Sequence, residues 1–153
     1  SEDPRLTFVE SLLDAIPDVG TIIAYSGYEE STIKQLATVF PEFENELLAL
    51  SGRIFDLLKL IRDHYYHPEF HGSFSIKSVL PAIVPNMGYS DLAIQHGLIA
   101  AIDFGKLISP ATPGPVKDKT KQALLEYCQR DTEAMVRIFE NLTTNSLPNI
   151  TRT

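Results

Sequence analysis

Leu124-Leu125-Glu126-Tyr127-Cys128-Gln129-Arg130-Asp131-Thr132-Glu133-Ala134-Met135-Val136 is the stretch whose reading decides the fold. It lies in a segment without Gly or Pro and rich in strong helix formers, which predicts a long helix. Leu124, Cys128, Met135, Ile138 and Leu142 recur at the four-three spacing of one buried helix face. Asp131 stands in that stripe, where the rhythm asks for an apolar residue. A carboxylate turned toward a core is costly unless it is paired, hydrogen-bonded or bound to a metal. Tyr127, four residues earlier, brings a hydroxyl to the same end of such a site. The alternative is a slightly rotated helix on which Asp131 meets solvent or a buried Arg.

Around this stretch, 153 residues with 44% hydrophobic content are enough for one core, and a single domain over residues 1–153 is the simplest organisation. Thirteen basic against 20 acidic residues give a formal charge of −7, which excludes coating nucleic acid by bulk charge. A nuclease is not excluded, since its carboxylates bind metal ions and its basic contacts are local. One cysteine rules out an internal disulfide framework and fits a reducing, cytoplasmic setting. No apolar run approaches the roughly 18 residues of a membrane span, and no secretory signal is visible, so no membrane partner is expected.

Upstream of the long helix, residues 5–16 read as an amphipathic helix (Leu6, Val9, Leu12, Leu13, Ile16) ended by Pro17 and Gly20. Thr21–Tyr25 is a short apolar run of the kind found in a strand covered on both faces. A helix over Glu29–Val39 follows, then a shorter one from Phe43 to Gly52 after Pro41. Ile54–Leu58 is the second strand, merging into a helix through Leu60 and Ile61. Tyr65–Ser75 reads as a loop, and Ser75 as the cap of a short helix that Pro81 bends or shortens. Tyr89–Ile94 is irregular, Gly97–Leu107 helical, Ser109–Pro115 a loop, and the tail 143–153 frayed. The order is that of a helix-rich α/β domain. Two strands are few for a stable sheet. With the abrupt Ser-Glu-Asp-Pro start, this leads us to expect further strands upstream of Ser1.

Two carboxylates suggest chemistry. Glu29 follows the carboxyl end of the first strand at the start of a helix, where sites in open α/β sheets gather. Stabilisation by that helix N-terminus is the plainer explanation of Glu29 alone. Together with Asp131 it could hold a divalent ion, and carboxylate oxygens suit Mg²⁺ or Mn²⁺.

Tyr127-x-x-x-Asp131 resembles the third motif of the DEDDy branch of ribonuclease-H-like 3′–5′ exonucleases. Ala24-Tyr25-Ser26-Gly27-Tyr28-Glu29 resembles their second motif, Tyr-Asn-x-x-Phe-Asp, with Ser26 in place of the Asn and Glu29 in place of the Asp. Gly72-Ser73-Phe74-Ser75-Ile76-Lys77-Ser78-Val79-Leu80 resembles the Ser-Tyr-Ser-Leu segment between them. From Asp3 to Leu142 the chain is also similar to an uncharacterised bacterial domain family. There, Tyr-x-x-(Phe/Tyr)-Glu, His-Pro-x-Phe-x-Gly-Ser-x-Ser-Ile-Lys-x-Val-Leu-Pro and Tyr-Cys-x-x-Asp-Thr occur in this order.

The resemblance implies a ribonuclease-H-like fold with a small parallel sheet. It also implies metal-dependent hydrolysis of single-stranded DNA or RNA ends. Glu29 and Asp131 would be metal ligands and Tyr127 would orient the attacking water. Ser73, Ser75 and Lys77 are the candidate substrate contacts, meeting a phosphate at the start of the short helix. The plainer reading there is Ser75 as a cap and Lys77 in solvent. The first exonuclease motif, Asp-x-Glu, is absent from the chain, so it is expected to be inactive or very weak by itself. A degenerate module that binds nucleic acid or protein without cutting is the alternative.

Other features compete. His64, His67 and His71 have spacings that can bind zinc, with loop packing as the plainer role. Asp56 interrupts the second strand and is expected to cap the next helix or orient a neighbour. Lys117, Lys119 and Lys121 fit a solvated helix start, or a patch for single-stranded nucleic acid. Cys128 reads as a small core residue beside Asp131. An exposed sheet edge would let two copies pair as a homodimer.

Overall fold

The structure is a computed structural model that describes residues 3–145. The chain divides into two compact units, one ending at Tyr66 and the other beginning at His67.

In the first unit, the Asp3 side chain accepts the Arg5 N–H at 3.0 Å and caps helix α1, Pro4–Ala15. A proline in the first turn costs nothing there, because its missing N–H would have had no helical partner. Helix α2 spans Tyr28–Val39, a 3₁₀ turn covers Pro41–Phe43, and α3 spans Glu44–Ser51. Pro41 ends α2 as expected. Val9, Ile33, Leu36, Ala37 and Leu47 are buried together, with Leu12, Leu13, Phe40, Phe43 and Ile54 packed against them. These are the inward positions that the helical periodicity picks out in all three helices.

Strands β1, Ile22–Ala24, and β2, Ile54–Asp56, pair in parallel, with Ile22 opposite Ile54 and Ala24 opposite Asp56. Both are shorter than the apolar runs suggest. Leu57 and Leu58 belong to helix α4, Leu57–His64, because the Asp56 carboxylate accepts the Lys59 N–H at 3.2 Å and starts that helix. Nor are the strands covered on both faces: Ile22 and Ile23 are half-buried and Phe55 is 38% exposed. Two strands offer too narrow a surface for helices to enclose on both sides.

Asp56 does more than cap. Its Oδ1 also accepts the N–H of Ser26 at 3.1 Å, and Ser26 lies at φ +116°, a conformation that residues with a Cβ rarely adopt. One carboxylate thus clamps the turn after β1 to the start of α4. Asp56→Ala is expected to lower stability by about 1–3 kcal/mol through the lost cap and the unpaired Ser26 amide. Asp56→Asn, which keeps an acceptor oxygen, should cost clearly less, and denaturant midpoints of the two variants would check the order.

The second unit holds a 3₁₀ turn at Pro68–Phe70, helix α5 at Ile76–Ile83, α6 at Gly97–Ile108 and α7 at Gly114–Asn145. At 32 residues, α7 is about 48 Å long. It packs against α5 and α6. Gly114 and Pro115, expected in a loop, form its first turn, where proline is tolerated. Thr143 to Asn145, expected to fray, continue the helix; the rest of that tail lies outside the described residues. Phe70 is fully buried and meets Phe74 edge-on at 5.7 Å between ring centroids. Helix α6 contributes no buried residue, and Leu98, Phe104 and Ile108 stand exposed on it.

Most of the expected stripe on α7 faces inward, Leu124, Met135 and Leu142 being half-buried, but the centre of the buried face lies toward Tyr127 and Ala134. Tyr127, Ala134 and Ile138 are buried, whereas Cys128 is exposed and is not a core residue. Two overlapping stripes, sharing Asp131 and Ile138, satisfy the same four-three rhythm. The tyrosine ring, with far more apolar surface than a thiol, selects the one that includes it. Asp131 belongs to both.

Candidate functional site

Within the second unit, four side chains from three segments meet beside α7. Tyr127 and Asp131 come from α7 itself, Lys77 from the first turn of α5, and Tyr89 from the irregular segment between α5 and α6. The Lys77 ammonium donates to Tyr127 Oη at 2.9 Å and stands 4.0 Å from Asp131 Oδ1. It also lies over both aromatic faces, 4.5 Å from the Tyr89 centroid and 4.9 Å from that of Tyr127. Two rings and a carboxylate therefore share one cation, an arrangement that strengthens as water is excluded. The tyrosine rings are 6.2 Å apart and tilted by 50°.

Tyr89 Oη donates to Asp131 Oδ1 at 2.6 Å, the short distance expected when the acceptor is ionised. Burial, then the hydrogen bond to Asp131, pushes the Tyr89 phenol far above its ordinary range, so it stays a neutral donor. The Asp131 side chain keeps 34% of its surface exposed, and its second oxygen has no hydrogen-bond partner among the described residues. The site is closed on one side by Tyr89 and Lys77 and open on the other.

The segment carrying Tyr89 is pinned to α7. Arg130 grips Asp91 through two hydrogen bonds of 3.0 and 2.8 Å and donates to the Gly88 carbonyl as well. The Arg130 guanidinium holds the Asp91 carboxyl below the usual carboxylate range. Gly97 opens α6 beside the site, where an added Cβ would stand 3.6 Å from Tyr127 Oη. Sequence reasoning missed Tyr89, Asp91 and Arg130. A Tyr in a Pro- and Gly-flanked segment carries no periodic signal, and the ion pair spans 39 residues.

The three expected substrate contacts have different fates. Lys77 is not in solvent; its side chain is 25% exposed and engaged as above. Lys77 and Ser73 line a cavity of about 530 Å³ together with Glu69, His71 and Ser78. Ser75 holds the N-cap position of α5 but makes no side-chain cap; its hydroxyl pairs with that of Ser78 at 3.1 Å. His67, one of the three histidines, accepts the Glu69 N–H at its Nδ1 (3.3 Å) and so caps the 3₁₀ turn. Among the described residues no three His, Cys, Asp or Glu side chains gather as a ligand set, which leaves the zinc reading without a site.

Glu29 belongs to the first unit. It is exposed in the first turn of α2, after the carboxyl end of β1 as expected, and borders a mainly apolar groove of about 250 Å³ with Phe8, Leu12 and Ile33.

A hard divalent cation typically takes one or two carboxylates and completes its shell with water or phosphate oxygens. Asp131 offers one open oxygen, but Lys77 places a competing positive charge at the same carboxylate, and among the described residues no group of three His, Cys, Asp or Glu side chains includes it.

Residues 1–75 match the model of a domain of unknown function, DUF2779. The match takes in the Ala24–Glu29 segment and Gly72–Ser75, and ends before Lys77, Tyr127 and Asp131. No curated protein and no solved structure matches the chain.

Proposed function

We propose that this chain is the second- and third-motif part of a ribonuclease-H-like, metal-dependent 3′–5′ nuclease acting on single-stranded nucleic acid ends. The observation that supports it most is the 2.9 Å contact between Lys77 and Tyr127. The segment that resembles the stretch between the second and third exonuclease motifs thus meets the third-motif tyrosine, 50 residues further on. In this reading Asp131 binds Mg²⁺ or Mn²⁺, and Glu29 has the same role by its motif. Bound there, the ion would polarise the scissile phosphate as a Lewis acid. Tyr127 positions the attacking water with its hydroxyl, Tyr89 fixes the Asp131 carboxylate in one orientation, and Ser73 and Lys77 hold the substrate backbone.

A second reading, a binding module that does not cut, draws support from the Lys77 ammonium, which already supplies Asp131 with a counter-charge. One experiment separates the two. A 5′-labelled single strand, DNA in one arm and RNA in the other, is incubated in Mn²⁺ with the 153-residue chain. Parallel arms use the chain together with any residues its gene encodes ahead of Ser1. The nuclease reading expects shortening from the 3′ end, slow for the chain alone and faster for the extended one. Strands bound but intact in every arm would favour a module that binds nucleic acid, and strands neither bound nor cut would contradict the nuclease reading and leave a module that binds protein.

A further inference from the structure

Helix α6 has the composition of an interior helix but lies at the surface. Of its 12 residues only Asp103 and Lys106 carry polar side chains, and they pair with each other at 2.7 Å. A helix that is apolar on every side is ordinarily buried. Here Ala100, Asp103 and Leu107 form the one half-buried face, while Leu98, Ile99, Ala101, Ile102, Phe104 and Ile108 are exposed. Leu98 keeps 74% of its surface in water and Ile108 64%. The large side chains together leave roughly 500 Å² of apolar surface uncovered, at the upper end of the largest patch on an ordinary monomer.

On the outward side of α6, Leu98, Ala101, Gly105 and Ile108 follow one another at spacings of three, four and three. This is the seam of a helix that packs against another helix. Gly105 points the same way. A glycine inside an exposed helix is destabilising beside alanine. Nothing within the chain requires it, since a Cβ at Gly105 would meet no atom within 4 Å. Side-chain sizes along the seam run large, small, small, large, the same from either end. Turned antiparallel about a two-fold axis at its middle, the seam fits itself: Leu98 of one copy lies against Ile108 of the other, and Ala101 against Gly105.

We propose that α6 is the interface of a homodimer, in which two copies pack this helix antiparallel and cross at Ala101 and Gly105. Ile102 and Phe104 flank the seam, and each meets its own counterpart. The two patches bury roughly 1,000 Å² in total, the threshold for a specific interface, so the dimer is a weak and reversible one. Because Asp103 and Lys106 neutralise each other, copies that each carry a charge of −7 approach here without a like-charged contact. An anionic lipid surface is the poorer occupant, since the chain is acidic and the one lysine of α6 is already paired. No part of this rests on the role of Asp131.

The test is sedimentation equilibrium of the 153-residue chain and of its Gly105→Gln and Ile108→Glu variants, from micromolar to near-millimolar concentration. The expected result is a reversible doubling of mass in the unaltered chain, with the dimer dissociation constant raised at least about tenfold in each variant. Gly105→Gln fills space that is empty in the single copy and replaces glycine by a better helix former, so its denaturation midpoint should not fall. Weaker association in that variant therefore reports a blocked approach and not unfolding. An unaltered chain that stays monomeric throughout would overturn the proposal. So would a dimer equally tight in both variants, which would put the contact elsewhere, such as the sheet edge. A monomer that co-sediments with phosphatidylserine vesicles, and no longer does so as Ile108→Glu, would overturn it in favour of a lipid surface.

Discussion

Asp131→Asn is expected to lower Mn²⁺-dependent hydrolysis of a single strand by at least about 100-fold. Loss of a group that merely supports a metal ligand already costs about 10–100-fold, and Asp131 would be the ligand itself. The substitution is nearly isosteric and keeps an oxygen to accept from Tyr89, so the fold should survive. What disappears is the negative charge that attracts the ion. It also leaves the Lys77 ammonium, whose side chain is 25% exposed, without the carboxylate 4.0 Å away. Initial rates over a Mn²⁺ titration would check this, with the denaturation midpoint as a control. A rate within threefold (roughly, RT ln 3 being under 1 kcal/mol) of the unaltered chain would remove Asp131 from the reaction.

Phe70→Ala is expected to be the most damaging single truncation in the second unit, at about 3–5 kcal/mol. Phe70 is the largest of the fully buried side chains, and its ring is set edge-on to Phe74. The surrounding 3₁₀ turn is too short to collapse into the space left behind. Since a domain of this size has a total stability of about 5–15 kcal/mol, a large share of it would go. Urea unfolding of Phe70→Ala beside Phe70→Leu would measure the loss, with the leucine variant retaining most of the stability.

Much of this architecture can be read from the chain. Pro41 and Asp56 mark helix boundaries because a missing N–H and a side-chain acceptor act locally, wherever the rest of the chain goes. The helix-rich α/β class and the parallel two-stranded sheet follow from the same local signals. Asp131 was legible as an inward carboxylate because the helical rhythm ran past it unbroken. The exposure of Cys128 was not, since two overlapping stripes fit that rhythm and only tertiary packing chooses between them. Tyr89 and the Arg130–Asp91 pair left no trace of any kind. Their partners lie 42 and 39 residues away, and no spacing rule reaches so far. Lys77 was marked by its motif, but the sequence could not tell whether it met solvent, a phosphate or a tyrosine.

The most direct test of the account is paramagnetic broadening by Mn²⁺ in the amide spectrum of the labelled chain. Asp131 as a cation-binding carboxylate predicts that sub-stoichiometric Mn²⁺ bleaches resonances centred on Tyr127 to Asp131, with those of Lys77 and Tyr89 following. Asp131→Asn should abolish the effect. Broadening that leaves this turn of α7 untouched, or that persists unchanged in Asp131→Asn, would contradict it.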